Sequence, residues 1–480
     1  MLSTRPGSPR NGVGIFLAVL LLAAGALITY SQTRAFVWDE GFHLVAAALI
    51  AHGKRPYVDF CFPQTPINAY FNAALIRVFG QDWHAPHLLA ALFVVGGMIL
   101  TAQFLLAHLP AGKPRWTTAI CAAIFVGFDT IVMQFGTVAQ AYGSGLFFAV
   151  AAFRAAVAAV GRKSAWLAFA AGLLAGVAAG CSLLTAPVAA VLLPWSLWNN
   201  QAGNRWQKCA AFVAGAALPF APVVRLFIEA PQQVFFNIVE YQALYRRVNW
   251  PGATLHDFAV MTGWLGSPQA LFIGSLALAG IWRVLRESVW GPEFRLPAWL
   301  CLGLGLSIAL AHPTFERYFI FLVPFASILA VVGLAGLASR RVAGIAAVLF
   351  ALSCGRQLFE DRDATNWKTY ETVVRKVAEL TPPGAMLYAE ELVYFRLGRT
   401  PPEGLEFSYT RNLRLPAERE KLLHVVSQAE FKEQIKAGRF ATVQSCKDDL
   451  IEFYELPAVF PHQADVEDCS VFWGKVKTSK

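Results

Sequence analysis

The sequence predicts a mainly α, polytopic transmembrane bundle of about eleven helices followed by a small α/β extracytoplasmic domain. Three observations carry this expectation. Of 480 residues, 56% are hydrophobic and only 15% charged, so a soluble globule of this size would lack the polar surface to cover itself. Apolar runs of roughly 20 residues, the length that spans a hydrocarbon core, recur throughout residues 1–355. From residue 356 onward the composition turns polar and the pattern changes.

Taken between charged and Pro/Gly breaks, the candidate spans are 13–30, 87–108, 116–133, 140–160, 165–179, 182–198, 209–228, 269–284, 296–311, 318–338 and 342–354. The stretch 165–198 reads either as two short tilted spans or as one long span interrupted around Thr185 and Pro187, and 342–354 is short for a span. Arg5 and Arg10 precede the first run, as in a signal peptide, but Ser31-Gln32-Thr33 is a poor cleavage site and many spans follow; a retained signal anchor is expected. With the N-terminus in the cytoplasm, Lys113, Arg115, Arg162, Lys163, Arg205, Lys208, Arg283, Arg286, Arg340 and Arg341 all fall on the inner side, as positive charge is distributed in membrane proteins. The outer side then receives two long loops, 31–86 and 229–268, and the tail.

This divides the chain into a membrane module, 1–355, and an extracytoplasmic domain, 356–480. In the tail, TYETVVRKVAEL (369–380) has the periodicity of an amphipathic helix, stopped by Pro382-Pro383-Gly384 before the strand-like AMLYAE. A helix over 428–436 and a strand over 441–446 repeat that order.

The net charge of +9 is dispersed between apolar runs and interleaved with acids in the tail, which fits membrane orientation and excludes a nucleic-acid surface. Eight cysteines scatter without a CxxC pair, so no zinc site or disulfide framework is indicated. Cys121, Cys181, Cys209 and Cys301 sit in apolar runs as small core residues. Cys446 and Cys469 lie in the tail, where pairing requires an oxidising compartment. His43, His84 and His87 lack ligand spacing, so no metal site is assigned, no cofactor is required and a divalent ion is unsupported.

Chemistry concentrates in the first outer loop. Phe36-Val37-Trp38-Asp39-Glu40-Gly41-Phe42-His43 sets two adjacent carboxylates at the lipid–water boundary, where an ionised group is retained only if paired or useful. Two amphipathic pieces, 44–52 and 66–79, read as helices lying on the membrane surface. Between them stand Gly53-Lys54-Arg55-Pro56-Tyr57-Val58-Asp59 and Pro63-Gln64-Thr65.

WDEGFH, GKRPYVDFCFPQTPINAYFNAALIRVFG and, before the penultimate span, HPTFERYFIFLVPF resemble the GT-C fold membrane glycosyltransferases, in particular the protein mannosyltransferase, aminoarabinose transferase and rhizobial lipopolysaccharide glycosyltransferase group. The resemblance implies a GT-C-like architecture and transfer of a sugar from a polyprenyl-phosphate donor. The acceptor would be a glycolipid, polysaccharide or protein at the outer face of a membrane, expected to be the bacterial inner membrane with the site in the periplasm.

It also implies that Asp39 is the base, with Glu40 beside it. A carboxylate within hydrogen-bond reach takes the proton of an acceptor hydroxyl as it attacks, and cations stabilise the departing lipid phosphate. Arg317 and His312 lead the phosphate-binding candidates, then Arg246, Arg247, Lys54 and Arg55. A single displacement with a separate base predicts inversion at the sugar carbon. Where relatives carry an acid at the outer start of the fourth helix, this chain has Gln140-Ala141-Tyr142, and where they often carry a lysine it has Thr185. Asp129 and Asp59 are the candidate acidic partners.

Simpler roles compete with each assignment. Asp39 and Glu40 fit helix N-caps. Asp59 fits an ion pair with Lys54 or Arg55, Arg246 and Arg247 fit lipid head groups, and His312 fits a satisfied interfacial histidine. Capping alone leaves GKRPYVDF beside the acidic pair unexplained. At the level of the whole protein, a flippase for a lipid-linked saccharide is the alternative, but it calls for ionisable groups near the midplane and a repeated half, and neither is visible here. A scaffold leaves the acidic pair without a purpose. The chain has no Walker loop, no GxGxxG after a strand and no sizeable cytoplasmic domain, so the donor arrives through the membrane.

Overall fold

A computed structural model of the chain describes residues 9–199, 204–249, 252–337, 339–363 and 367–474. Among these residues, seven helices are long and apolar enough to cross a membrane, and the pair Arg115–Gly127 and Thr130–Gly136, bent by 52°, makes an eighth. Ala165–Cys181, Leu183–Asn199 and Val323–Gly336 are apolar but shorter. The protein is therefore an integral, multi-pass, helical membrane protein with a small C-terminal sheet.

The ambiguous stretch 165–198 is two helices meeting at Ser182, with Thr185 in a 3₁₀ turn. The last run extends well past its expected end as Arg340–Glu360. At the bend in the eighth span, Asp129 is the N-cap of Thr130–Gly136 and accepts from the backbone N–H groups of Ile131 and Val132 at 3.1 and 3.2 Å. This satisfies donors that hydrocarbon would leave bare.

The chain divides into two compact units, and the division does not fall at residue 355. One unit comprises Met1–Ala35, His87–Ala221 and Gly252–Arg362; the other gathers Phe36–Pro86, Pro222–Pro251 and Asp363–Lys480. Small residues set the helix packing in the first. A Cβ on Gly176 would lie 2.3 Å from the carbonyl oxygen of Ala216, and one on Gly215 would lie 2.2 Å from that of Phe169. Backbones this close bring van der Waals cohesion where lipid supplies no hydrophobic driving force.

In the second unit, helix Glu40–Ala51 is buried from Glu40 to Ile50. This corrects the expectation of a helix lying on the membrane: EGFHLVAAALIA is apolar all round, and such a helix belongs in a core. It packs on Ile67–Phe79 and Glu391–Leu397. The guanidinium of Arg77 donates to the carbonyls of Ile50 and Ala51, each at 3.0 Å, closing its C-terminus. The second outer loop is also helical, running through Pro231–Phe235, a π-turn at Phe236–Glu240, Tyr241–Asn249 and Ala253–Gly266.

Four strands make the sheet: β1 (Leu387–Tyr388), β2 (Thr442–Ser445), β3 (His462–Val466) and β4 (Cys469–Trp473), in the order β1-β2-β4-β3. β1 and β2 are parallel, as the helix–strand repetition in the sequence implies, and β2–β4 and β3–β4 are antiparallel. Phe431, Ile435, Phe440, Val443 and Phe472 form the core beneath. Cys446 and Cys469 are joined in a disulfide.

Glu406 is buried here. One carboxylate oxygen accepts from the Gly404 N–H at 2.7 Å, and the other has no hydrogen-bond partner. Burial pushes its pKa from an ordinary 4.5 up to about 7. Between those values the folded chain holds a proton that the unfolded chain has lost, so stability falls as pH rises across that window. Glu406→Gln is expected to flatten this decline. Its Tm in detergent should match wild type near pH 4 and exceed it at pH 8, by up to about 3 kcal/mol in stability.

Candidate functional site

Asp39 occupies the N-cap position of helix Glu40–Ala51 but makes no side-chain cap hydrogen bond. Its Oδ1 instead accepts from the Tyr409 hydroxyl at 2.6 Å, a contact between residues 370 positions apart. The carboxylate is half-buried, whereas Glu40 is fully buried. The simple capping role therefore does not describe Asp39. Tyr409 is flanked by Phe42, Tyr245 and Phe407 at ring distances of 6.4, 6.3 and 5.5 Å. Burial foremost, and then the charge of Asp39, push the phenol pKa up, so the group stays a proton donor.

Two packing devices hold this corner. Gly41 sits at a close approach: a Cβ there would lie 3.0 Å from the Glu391 Cβ and the Leu392 backbone nitrogen, so a side chain would make its neighbours give way. Asn237, fully buried in the π-turn, accepts from the Phe62 N–H at 2.7 Å and donates to the Gln233 carbonyl at 2.8 Å. This ties the PYVDFCF segment to the second outer loop. π-Turns of this kind recur where a helix is adapted to a site.

Asp59 is occupied by Arg55. Their side chains meet at 2.8 Å, the Arg55 backbone N–H donates to the same carboxylate at 2.7 Å, and these bonds hold the Asp59 pKa below its ordinary value. Arg55 also reaches Glu229 at 3.1 Å. Two carboxylates leave this guanidinium little charge to offer a phosphate, while Lys54 is exposed. The side chains of Arg246 and Arg247 lie outside the described residues.

In the other unit, His312 Nδ1 lies 2.5 Å from Asp257 Oδ2, and Asp257 Oδ1 accepts from the Thr314 N–H at 2.6 Å. A carboxylate accepts, so Nδ1 carries the proton. Arg317 stacks on Phe315 at 4.4 Å, and its Nε–H donates to the Tyr142 hydroxyl at 3.1 Å. Tyr142 thus gives Arg317 a neutral partner in the segment where relatives place an acid. Asp129 is spent on its helix cap.

Asp257, Tyr142, Asn237 and Tyr409 were not visible as site residues in the sequence. Asp257 left a signal as the one acid in the apolar helix Ala253–Gly266. Among the described residues, no three His, Cys, Asp or Glu side chains converge to hold a metal ion.

No family model and no curated protein matches the sequence. Solved structures do match the fold. ArnT from Cupriavidus metallidurans, in a crystal structure bound to undecaprenyl phosphate, aligns with a TM-score of 0.70 at 15% identity over 97% of this chain and 98% of that one. The archaeal oligosaccharyltransferase AglB from Archaeoglobus fulgidus, in complex with an inhibitory peptide and a dolichol-phosphate, aligns with a TM-score of 0.52 at 11% identity. That alignment covers 80% of this chain and 64% of AglB. The chain has the GT-C fold that its sequence motifs resemble.

The Gly41 contact yields a test. Gly41→Val should force helices Glu40–Ala51 and Glu391–Leu397 apart, destabilising the second unit by about 1–3 kcal/mol. Limited proteolysis of the tail measures it: cleavage after residue 363 should accelerate in the variant while the spans remain protected.

Proposed function

We propose that the protein is a polyprenyl-phosphate-dependent glycosyltransferase, transferring a sugar to an acceptor hydroxyl on the outer face of a bacterial inner membrane with inversion of configuration. The observation that carries this is the Asp39 carboxylate, released from capping and oriented by Tyr409 in a chain with the GT-C fold. Further support comes from the lipid phosphates named with two proteins of that fold. The disulfide in the tail fits an oxidising, extracytoplasmic compartment.

Asp39 takes the proton of the acceptor hydroxyl as its oxygen attacks the anomeric carbon. The new carbon–oxygen bond forms while the bond to the phosphate breaks, and the lipid phosphate departs with the electron pair. Tyr409 holds the carboxylate in one orientation through the atom that is not accepting the proton. Arg317 and His312 are assigned to the departing phosphate. Arg246, Arg247 and Lys54 are assigned supporting charge. Arg55 and Asp59 are assigned to the loop, and Glu40 to orienting its neighbour.

The test is turnover of a panel of polyprenyl-phosphate sugars by the purified protein in lipid. Asp39→Asn should lower transfer by on the order of 10²- to 10⁴-fold with the fold intact; equal turnover by the variant removes Asp39 from the mechanism. Arg317→Gln should cost roughly 10- to 100-fold, and Arg317→Lys should recover only part because it loses the planar fork and the stack on Phe315. A protein that moves the lipid-linked sugar across vesicles without consuming it is a flippase instead.

A further inference from the structure

Wholly within the second unit, and walled in part by the Tyr409 that donates to Asp39, lies a cleft of about 300 Å³. Its apolar wall is Trp38, Phe42 and Tyr409, and its polar wall is Glu390, Glu391 and Lys447. Trp38 is 39% exposed and is braced edge-on by Phe36 and Tyr370, so its ring is positioned without being covered. Glu391 Oε1 accepts from the Ser408 N–H at 2.8 Å. Glu390, only 7% exposed, is different: its Oε1 has no hydrogen-bond partner. A buried carboxylate oxygen left unsatisfied is costly, and burial duly raises this group's pKa against the opposing pull of Lys447.

The Lys447 ammonium sits 4.8 Å from the centre of the Tyr409 ring. A second recess, of about 210 Å³, shares Tyr409 and Lys447 as walls. There the Ser408 hydroxyl is likewise buried without a partner.

We propose that this cleft binds a saccharide ring of the acceptor and presents one of its hydroxyls to Asp39, the shared wall allowing a second ring to lie in the neighbouring recess. The inference rests on the glycosyl-transfer function above and specifies its acceptor. A pyranose has an apolar C–H face for Trp38 and Tyr409 and a rim of O–H donors for Glu390 Oε1. Lys447 donates in return to its oxygens. The buried Glu390 oxygen without a partner calls for a hydrogen-bond donor, which a polyol supplies and a lipid phosphate does not. The volume is at the lower end of small-molecule sites, right for one compact ring and small for an extended peptide. Tyr409 connects recognition to chemistry, since it both lines the cleft and holds Asp39.

The experiment uses the full chain in lipid nanodiscs and a panel of methyl pyranosides: glucoside, galactoside, mannoside and N-acetylglucosaminide. Saturation-transfer NMR should detect binding of at least one of them through its ring C–H protons. Glu390→Gln and the rim variant Trp38→Ala should each weaken that binding about tenfold or more. The pyranoside that binds should also accept sugar from the polyprenyl-phosphate donor, with KM raised in both variants.

No binding by any pyranoside to the wild-type chain overturns the inference, whatever the variants do. So does transfer to a saccharide with KM unchanged in both variants, a result that leaves the transferase function standing. So too does preferential transfer to a hydroxyl-bearing peptide. Pyranoside binding that depends on Glu390 and Trp38 in a protein that consumes no donor upholds the saccharide site and removes the transferase function.

Discussion

One hydrogen bond anchors the proposed site: the Tyr409 hydroxyl donating to Asp39. An aspartate at a helix N-terminus ordinarily turns its carboxylate onto the backbone N–H groups that follow, and there it is satisfied and inert. Here the cap bond is missing and the carboxylate faces a phenol brought from the far end of the chain. That exchange leaves the carboxylate oriented by a side chain of the tail and not spent on its own helix, which is the arrangement the proposed role as base requires.

The surrounding features follow from the need to keep that contact. Gly41 lets two helices approach so closely that a Cβ there would sit 3.0 Å from its neighbours. Helix Glu40–Ala51 is buried on all sides, so its register cannot slide, and Arg77 fixes its end. Asn237 secures the chain that follows. The remaining charged residues in the loop, Arg55 and Asp59, satisfy each other and Glu229 at the periphery. In the membrane unit, His312 is held by Asp257, and Arg317 is held by Tyr142 and the ring of Phe315.

Much of this was legible in the sequence because it depends on local pattern. Hydropathy located the spans, and periodicity located the tail helices at 369–380 and 428–436. What failed depended on partners distant in the chain. Amphipathic periodicity in 44–52 predicts a surface helix, yet helix Glu40–Ala51 is apolar all round and is covered by residues near 391. The strand pair β3–β4 was missed because its alternation is interrupted by polar residues on an exposed edge. Tyr409, Glu390 and Lys447 carried no motif at all; only folding brings them beside Trp38 and Asp39. Asp59 forms the ion pair with Arg55 that its spacing suggests, whereas Asp129, a candidate acidic partner, caps its own helix.

The second unit is stitched from three separated stretches, Phe36–Pro86, Pro222–Pro251 and Asp363–Lys480. A protein engineer who cuts at residue 363 to obtain a soluble fragment would therefore remove the tail from its own foundations and leave a buried helix bare. Chimeras meant to exchange specificity between proteins of this architecture must transplant all three stretches together, treating them as one inherited piece despite the span-forming sequence that runs between them.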